Sequence, residues 1–237
     1  MNFLKNEIKK TIKVVNELPS ILVTIFVTSV VCMNLLANKS IDVNFSWLAL
    51  DSGMTLSWLS FLIMDIVIKK YGASQSIRLS VFSVVVNLVV TFFFFIVSIL
   101  PGVWGEAFSN SLYLEQINNA LNNTISNNLF IVFGSTVAFL VSAIIDALVN
   151  ELIGKKLKKD TFCTFAIRSY LSTMLSQFCD NLVFSLIVSV TFFDWTIIQC
   201  LTCSLTGAII ELICEIIFSP LGYNLWVKNK DENRSDL

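Results

Sequence analysis

Apolar residues occur in this chain in long runs, without the helical or alternating period of a soluble domain. A helix needs roughly 20 consecutive, mostly apolar residues to cross the hydrocarbon core of a bilayer, which is about 30 Å thick. The pattern therefore predicts an all-α integral membrane protein with six transmembrane helices. To within several residues at either end, the six runs are 18–37, 47–68, 77–100, 129–152, 169–193 and 196–219.

The same pattern predicts a single membrane domain. It covers residues 18–220, between a basic N-terminal segment, 1–17, and a C-terminal tail, 221–237. The first run is long enough to span and no small-residue cleavage site follows it, so a cleaved signal peptide is not expected. Six helices divided three and three would suit an inverted repeat. Only a loose similarity between LSWLSFLIMD and LSTMLSQFCD supports that arrangement.

Composition agrees with a membrane protein and excludes several other classes. Hydrophobic residues make up 55% of the chain and the mean hydropathy is +0.77, which is more apolar surface than a soluble domain of this size can bury. The chain has no histidine, no GxxxxGK[ST] and no GxGxxG, so it is not expected to be an enzyme or to hydrolyse ATP unaided. The six cysteines, including the CxxC of Cys200 and Cys203, are interpreted as small apolar residues. No disulfide, metal or cofactor is predicted.

The positions of Lys and Arg predict the orientation. If the N-terminus is cytoplasmic, fifteen of the sixteen basic residues lie in cytoplasmic segments and only Lys39 lies outside. By the positive-inside rule this places both termini in the cytoplasm of a multi-pass protein of the plasma (inner) membrane. Anionic lipid headgroups account for the basic clusters. The bilayer is therefore a predicted partner, and nucleic acid is not.

The fifth run carries the strongest functional signal. Arg168, Ser172, Ser176 and Asp180 recur every four residues, and a second row lies beside them: Ser169, Thr173, Gln177 and Asn181. Asp180 lies near the predicted midplane, where an ionisable side chain costs about 2.5–3.5 kcal/mol to insert. This polar face is expected to line a central, substrate-sized cavity. The alternative is a packing seam of small polar residues.

Other runs carry weaker signals of the same kind. Asn87 lies in the third run, Asp146 in the fourth, and Glu211 and Glu215 in the sixth. Asn34 lies toward the outer end of the first run. Asp65 is one turn from Lys69 near the inner interface, so an ion pair between them is an alternative to a functional role.

The longest connection between runs, 101–128, is predicted to face outward. Its Asn-rich tail is treated as low-complexity sequence without a function. The segment PGVWGEAF is expected to form a short interfacial piece with Trp104 at headgroup depth.

Two segments resemble a known family. NLLANKSID…LDSGMTLSWLSFLIMDIVIKKYGASQSIR is similar to the first signature of the vitamin-uptake-transporter family, also described as queuosine precursor transporters. RSYLSTMLSQFCDNLVF resembles the second signature, and FLVSAIID between them is also similar to the family. The matching positions of the first signature are Asn34, Asn38, Asp65, Tyr71, Gly72 and Arg78. Those of the second are Arg168, Ser172, Thr173, Gln177, Asp180 and Phe184.

The chain departs from the family pattern in the loop after the second run. Lys69 stands where members often have Glu, and the basic residues after Tyr71 are reduced to Arg78. A gating role of this loop is therefore doubtful. Gln177 and Asp180 are retained.

The resemblance implies import of a 7-deazaguanine, in its cyano or aminomethyl form or as queuine. A guanine-like edge offers an N–H and an amine to a carboxylate, such as Asp180 or Asp146, and a carbonyl oxygen to an amide or guanidinium donor. Phe61 or Phe184 would stack on the ring. The predicted substrate-binding residues are Asn34, Phe61, Asp65, Asn87, Asp146, Arg168, Gln177, Asp180, Asn181 and Phe184.

Several alternatives stay open at this point. One is the substrate-binding subunit of a multi-component ATP-driven importer, and another is a structural or enzymatic membrane protein. Carboxyl groups in the spans would permit proton coupling, whereas facilitated diffusion needs none. Association of copies into a homo-oligomer is also open.

Overall fold

The computed structural model describes residues 2–41, 44–157 and 161–224, and most of them are helical. The α-helices are α1 Asn2–Glu17, α2 Ser20–Leu36, α3 Met54–Tyr71, α4 Ala73–Ile99, α5 Gly105–Ser109, α6 Leu114–Lys156, α7 Phe162–Phe184, α8 Val190–Phe192 and α9 Ile197–Gly222. A 3₁₀ turn, Ser111–Tyr113, precedes α6, and a π-helical turn, Ser185–Ser189, joins α7 to α8. The strands β1 Ser40–Ile41 and β2 Leu50–Asp51 pair antiparallel.

The all-α prediction is confirmed, and the number of spans is confirmed in part. Four helical stretches are long and apolar enough to cross a membrane: Ala73–Ile99, Ser111–Lys156, Phe162–Phe192 and Ile197–Gly222. A fifth span is obtained if the bent pair α1 and α2, at 116° to each other, is counted as one. α2 has only 17 residues, and the 18 residues of α3 include Asp65, Lys69 and Lys70. Six spans and the inverted repeat stay predictions.

The second run begins later than predicted. Helix was expected from Trp47, but α3 begins at Met54, because residues 40–41 and 50–51 pair as a hairpin. Asn44 has a φ of 60°, which ends any helical path there. The Asp51 carboxyl accepts a hydrogen bond from the backbone N–H of Gly53, just before α3 begins. The second strand of a hairpin therefore takes the place of the first helical turns that hydropathy suggested.

The long outer connection also differs from the expectation of a low-complexity loop. α6 has 43 residues, about 64 Å at 1.5 Å per residue, so its Asn-rich beginning is helical and extends past a bilayer core. Two asparagines of this extension bind Trp104. Asn118 accepts from its backbone N–H at 3.1 Å, and Asn122 accepts from its indole N–H at 2.7 Å. These asparagines thus hold the turn that precedes α5.

The C-terminal boundary moves as well. The tail was predicted to start at 221, whereas α9 continues to Gly222. Residues 225–237, with the predicted cytoplasmic residues Lys228, Lys230 and Arg234, lie outside the described part of the chain.

α3 is the central helix of the bundle. Eleven of its 18 residues are buried, and it contacts α2, α4, α6, α7 and α9. Phe61 of α3 packs against Phe139 of α6 with ring centroids 6.2 Å apart, in a core that also contains Phe26. α6 packs against α4 and α7, and α7 packs against α9. Residues of α3 and α7 that face each other therefore lie in the protein interior and not against lipid.

The two ends of the bundle differ in charge. The hairpin of residues 38–53 lies at one end, here named the hairpin end. The other end holds Lys69, Lys70, Lys155 and Lys156 and is named the basic end. α1 lies at the basic end, where Glu7 is 2.9 Å from the Arg78 guanidinium at the start of α4. This ion pair links α1 to the bundle.

Candidate functional site

A small cavity lies in the hairpin half of the bundle, between α2, α3, α6 and α7. Its volume is about 30 Å³, which is room for about two water molecules. The residues that line it are Met33, Ala37, Asp51, Gly53, Met54, Ser57, Ser135, Asp180, Asn181 and Phe184. The polar face of the fifth run therefore contributes Asp180 and Asn181 to a cavity, but this cavity is much smaller than a substrate, and a substrate-sized cavity stays a prediction.

Two carboxyl groups, Asp51 and Asp180, line this cavity, and a third, Glu211, is hydrogen-bonded to the lining residues Ser57 and Asn181. The three are named the outer carboxyl cluster, after the predicted orientation of the hairpin end. Asp180 accepts a hydrogen bond from Ser142 at 2.7 Å. Glu211 accepts from the Ser57 hydroxyl and from the Asn181 amide, the latter at 3.3 Å. No Lys or Arg is among the described residues that line the cavity. The cluster therefore suits a ligand that donates hydrogen bonds.

The hairpin covers this cavity from outside. The side-chain amide of Gln199 donates to the Ser46 carbonyl at 3.1 Å, and the Thr202 hydroxyl donates to the Trp47 carbonyl at 2.7 Å. Both donors lie at the start of α9. The hairpin thus closes this end of the bundle and is held to α9 by these two hydrogen bonds and by the packing of Ala49 against Cys200 and Cys203.

The two polar rows of α7 contact different helices. The row 168, 172, 176 and 180 faces α6, where Asp180 meets Ser142 and Arg168 meets Asn150. The row 169, 173, 177 and 181 faces α3 and α9, where Thr173 donates to Asp65 at 3.2 Å. A polar residue every four positions keeps each row on one helix face. The middle of both rows is therefore buried in the bundle, whereas Arg168, Asp180 and Asn181 at their ends are half-buried.

Gln177 occupies the middle of the second row without a partner. Its side chain is completely buried, and neither amide atom has a hydrogen-bond partner among the described residues. Thr173 and Asn181, one turn away on either side, bind Asp65 and Glu211 respectively. A buried, unpaired amide costs roughly 1–3 kcal/mol. Such a group at midbundle is suited to complete its hydrogen bonds with a ligand or water.

A second group of carboxyls lies toward the basic end and is named the inner carboxyl cluster: Asp65, Asp146 and Glu215. The Asn150 amide donates to Asp65 at 2.6 Å, and its oxygen accepts from the Arg168 guanidinium at 2.8 and 3.2 Å. Asp65 thus accepts hydrogen bonds from interior donors, and its ion pair with Lys69 stays a prediction. All three carboxyl side chains are buried.

The predicted site residues thus fall into separate places. Asp180, Asn181 and Phe184 line the cavity, and Gln177 lies one turn below them. Asp65, Asp146 and Arg168 belong to the inner region. Phe61 lies in the apolar core, Asn34 donates to the Val30 carbonyl at 2.8 Å, and Asn87 is buried on α4 with an amide nitrogen lacking a partner among the described residues.

Sequence reasoning left several residues of these clusters out of the predicted site. Asp51 was placed inside a span, and its role depends on the hairpin that brings it to Asp180. Glu211 and Glu215 were noted as polar positions but not assigned to the site. Asn150 carried a usable signal, because it lies four residues after Asp146 in an apolar run.

One of the six cysteines, Cys203, contacts the outer carboxyl cluster through a hydrogen bond with the Asp51 backbone. All six are free thiols, and Cys200 and Cys203 are buried against Trp195 and Ala49. No group of three acidic, cysteine or histidine side chains in the described part of the chain is arranged to hold a metal ion.

Comparison with known proteins identifies the family. A family model described as "putative vitamin uptake transporter" matches residues 51–225, a range that contains both carboxyl clusters. The chain belongs to this family. No curated protein and no solved structure matches it. As a vitamin-uptake-transporter family member with several long apolar helices, it is a multi-pass membrane protein. The match extends past the second signature through α9, so Glu211 and Glu215 lie within the family region.

Replacing Gly207 by Ala provides a test of the cavity wall. A Cβ at Gly207 would lie 2.7 Å from the Asn181 amide nitrogen and 3.3 Å from the Met54 methyl. Both atoms end flexible side chains, so Asn181 is expected to move away from Glu211. We expect uptake to fall several-fold while stability holds, because Ala gains up to about 1 kcal/mol of helix propensity. Gly105→Ala, with open space around its Cβ, is the control. Unchanged uptake in Gly207→Ala would contradict a role for Asn181.

Proposed function

We propose that this chain imports a queuosine precursor, a 7-deazaguanine base, by alternating access around the outer carboxyl cluster and Gln177. The observation that carries the proposal is the cavity in which Asp180 and Asn181 meet Phe184, within a chain of the vitamin-uptake-transporter family. A transporter site at midmembrane is expected to combine polar groups with an aromatic surface.

The chemistry of these side chains suits a guanine-like base. An ionised carboxylate only accepts hydrogen bonds, so Asp180 can take a ring N–H and the adjacent exocyclic amine side by side. The amides of Asn181 and Gln177 can donate to the carbonyl oxygen. Phe184 offers a ring face for stacking, which is worth about 0.5–1.5 kcal/mol for an aromatic pair. Apolar vitamins would leave these polar groups unsatisfied.

The small volume of the cavity supports a cycle with a closed intermediate. A two-ring base does not fit in about 30 Å³, so the helices must separate to admit it. The hairpin is attached to α9 by two side-chain hydrogen bonds, which makes it the natural outer gate. On the opposite side, the contact between Arg168 and Asn150 closes the way to the basic end. Opening one of these contacts at a time gives alternating access.

The proposed topology has six spans with both termini in the cytoplasm. α2 and α3 are short, but both pack inside the bundle beside the four long helices. The charged side chain that shortens the apolar run of α3, Asp65, is buried and hydrogen-bonded, so it does not meet lipid. The basic end then faces the cytoplasm, in agreement with the positive-inside rule. α1 lies along that surface with its lysines toward anionic headgroups.

Uptake of a labelled 7-deazaguanine tests this proposal. The chain is expressed in cells that lack their own route for the base, and the purified chain alone is reconstituted in liposomes. We expect saturable uptake in both systems, with competition by unlabelled 7-deazaguanines and not by an apolar vitamin. Uptake in cells but not in liposomes would indicate a subunit of an ATP-driven importer. Absence of uptake in both would overturn the assignment of the substrate.

A further inference from the structure

One hydroxyl group in the inner carboxyl cluster touches two carboxyl groups. The Ser169 oxygen is within hydrogen-bonding distance of Asp65 Oδ2 and of Glu215 Oε1. A serine hydroxyl has a single hydrogen to donate, and an ionised carboxylate has none. Both contacts can be hydrogen bonds only if one of the carboxyl groups carries a proton and donates it to Ser169. The geometry thus requires one bound proton at this position.

Hydrogen-bond counting assigns that proton to Glu215. Asp65 is surrounded by donors, because Asn150 and Thr173 donate to its two oxygens at 2.6 and 3.2 Å in addition to Ser169. That environment stabilises an ionised carboxylate. Glu215 has a second oxygen, Oε2, with no partner among the described residues. An ionised carboxylate with one oxygen left unpaired is costly in a dry interior, whereas the neutral acid is tolerated.

Charged side chains from four helices lie near this pair. From α6, Asp146 faces both Asp65 and Glu215, and its Oδ2 is buried without a partner among the described residues. From α7, Arg168 donates to the Asn150 oxygen, and the Asn150 amide donates to Asp65. On α3, Lys69 lies one turn from Asp65, and on α9, Glu211 lies one turn from Glu215. The side chains that α4 turns toward α3, Ser76 and Ser80, carry no charge.

The positions of the two clusters indicate a route for the proton. Glu211 and Glu215 are successive turns of α9, so the outer cluster at the cavity and the inner cluster are about 6 Å apart along the helix. Gln177, unpaired, lies at the level between them. Beyond the inner cluster, Asn150 and Arg168 lead toward the basic end. Binding of substrate at one cluster and of a proton at the other can therefore affect the same helices, α7 and α9.

We propose that Asp65, Ser169 and Glu215 form a proton-binding site that couples transport to the proton gradient, an inference that rests on the proposed transport function. Glu215 takes a proton from the outer side on one carboxyl oxygen, and that O–H group donates to Ser169. The closed bundle carries the neutral acid. When the Arg168–Asn150 contact opens, the O–H bond breaks, the proton passes to cytoplasmic water and Glu215 is left ionised. No bond of the substrate changes in the cycle.

The test compares two modes of transport in liposomes that contain the purified full chain. With the outside acidic, wild type is expected to accumulate a labelled 7-deazaguanine above its external concentration, and a protonophore should abolish this. Glu215→Gln stays neutral at every pH but keeps a donor toward Ser169. It is expected to lose accumulation completely while exchange of labelled for unlabelled base falls by no more than about threefold, since the hydrogen bond is kept.

Glu151→Gln is the matched control. Glu151 lies on the exposed surface of α6, 2.9 Å from Lys155, and its variant should retain accumulation and exchange. Accumulation by Glu215→Gln equal to wild type would overturn the proton site. If the wild type itself shows no exchange, the proposed transport function is overturned instead. The two failures are therefore distinguishable.

An infrared measurement provides a readout that does not depend on transport. The carbonyl stretch of a buried protonated carboxylic acid should be present in wild type at neutral pH and shift in deuterium oxide. We expect this band to be missing from Glu215→Gln and to change in Ser169→Ala, which removes the shared hydroxyl. A band unaffected by both substitutions would show that the proton is held elsewhere, and would reject the site.

Discussion

Asp180→Asn is expected to lower the uptake of a labelled 7-deazaguanine by at least about tenfold, mainly through a higher KM. Asp180 is the carboxylate of the fifth run that lines the cavity, and Ser142 donates a hydrogen bond to it. Asparagine keeps the size of the side chain but replaces one acceptor oxygen by a donor. A hydrogen bond to a charged group is worth about 1.5–3 kcal/mol, and each 1.4 kcal/mol corresponds to tenfold in affinity.

The measurement is the concentration dependence of uptake at matched expression. Glu151→Gln, which makes the same chemical change on the exposed side of α6, should leave KM unaltered. A second comparison separates substrate binding from proton binding: Asp180→Asn should weaken exchange and accumulation alike, whereas Glu215→Gln should affect accumulation far more. A normal KM for Asp180→Asn would remove Asp180 from the substrate site.

Hydropathy located the long helices well, for a physical reason. The lipid-facing residues of α4, α6, α7 and α9 must be apolar, so these helices appear in the sequence as long runs. The Asn-rich start of α6 gave no such signal, because a helix outside the bilayer need not be apolar. The hairpin was missed because its formation depends on pairing between residues 40–41 and 50–51, which hydropathy does not report.

The site was predictable where it depended on one helix. A polar residue every four positions located Asp180 and Asn181 on the buried faces of α7. Contacts between distant segments were not predictable in this way. Asp65 and Ser169 are separated by 104 positions, so their contact is not visible in the sequence. The sequence suggests Lys69 as the partner of Asp65, because it is the nearest oppositely charged residue along the helix. The number of carboxyl groups in the bundle was visible in the sequence, but not their division into two clusters.

In the proposed transport cycle, the two clusters have different tasks. The outer carboxyl cluster borders a cavity and includes Asn181 and Phe184 nearby, which suits recognition of a flat polar base. The inner carboxyl cluster is packed against hydroxyls and one amide, which suits a proton better than a larger ligand. α7 and α9 contribute to both. A movement of either helix changes both clusters together, as coupling requires.

Asn150→Leu is expected to be the most destabilising of the substitutions considered. The Asn150 amide donates to Asp65 at 2.6 Å, and its oxygen accepts two hydrogen bonds from Arg168 at 2.8 and 3.2 Å. Leucine has the same branched shape, although it is larger, and it makes none of these bonds. Side-chain hydrogen bonds in membrane proteins average about 0.6 kcal/mol and reach about 1.7, whereas exposing a buried charge to an apolar neighbour costs about 3–5 kcal/mol. We therefore expect a loss of about 2–4 kcal/mol.

The free energy of unfolding in detergent, or the fraction of chain that stays folded after heating, measures this loss. Asn123→Leu, at an exposed position of the same helix, should change stability by no more than about 0.5 kcal/mol. Asn150→Gln should recover part of the loss, because it keeps both a donor and an acceptor. An unfolding free energy of Asn150→Leu equal to that of wild type would mean that the burial of Asp65 and Arg168 does not depend on this amide. The contact that closes the bundle toward its basic end would then have to be another one between α6 and α7.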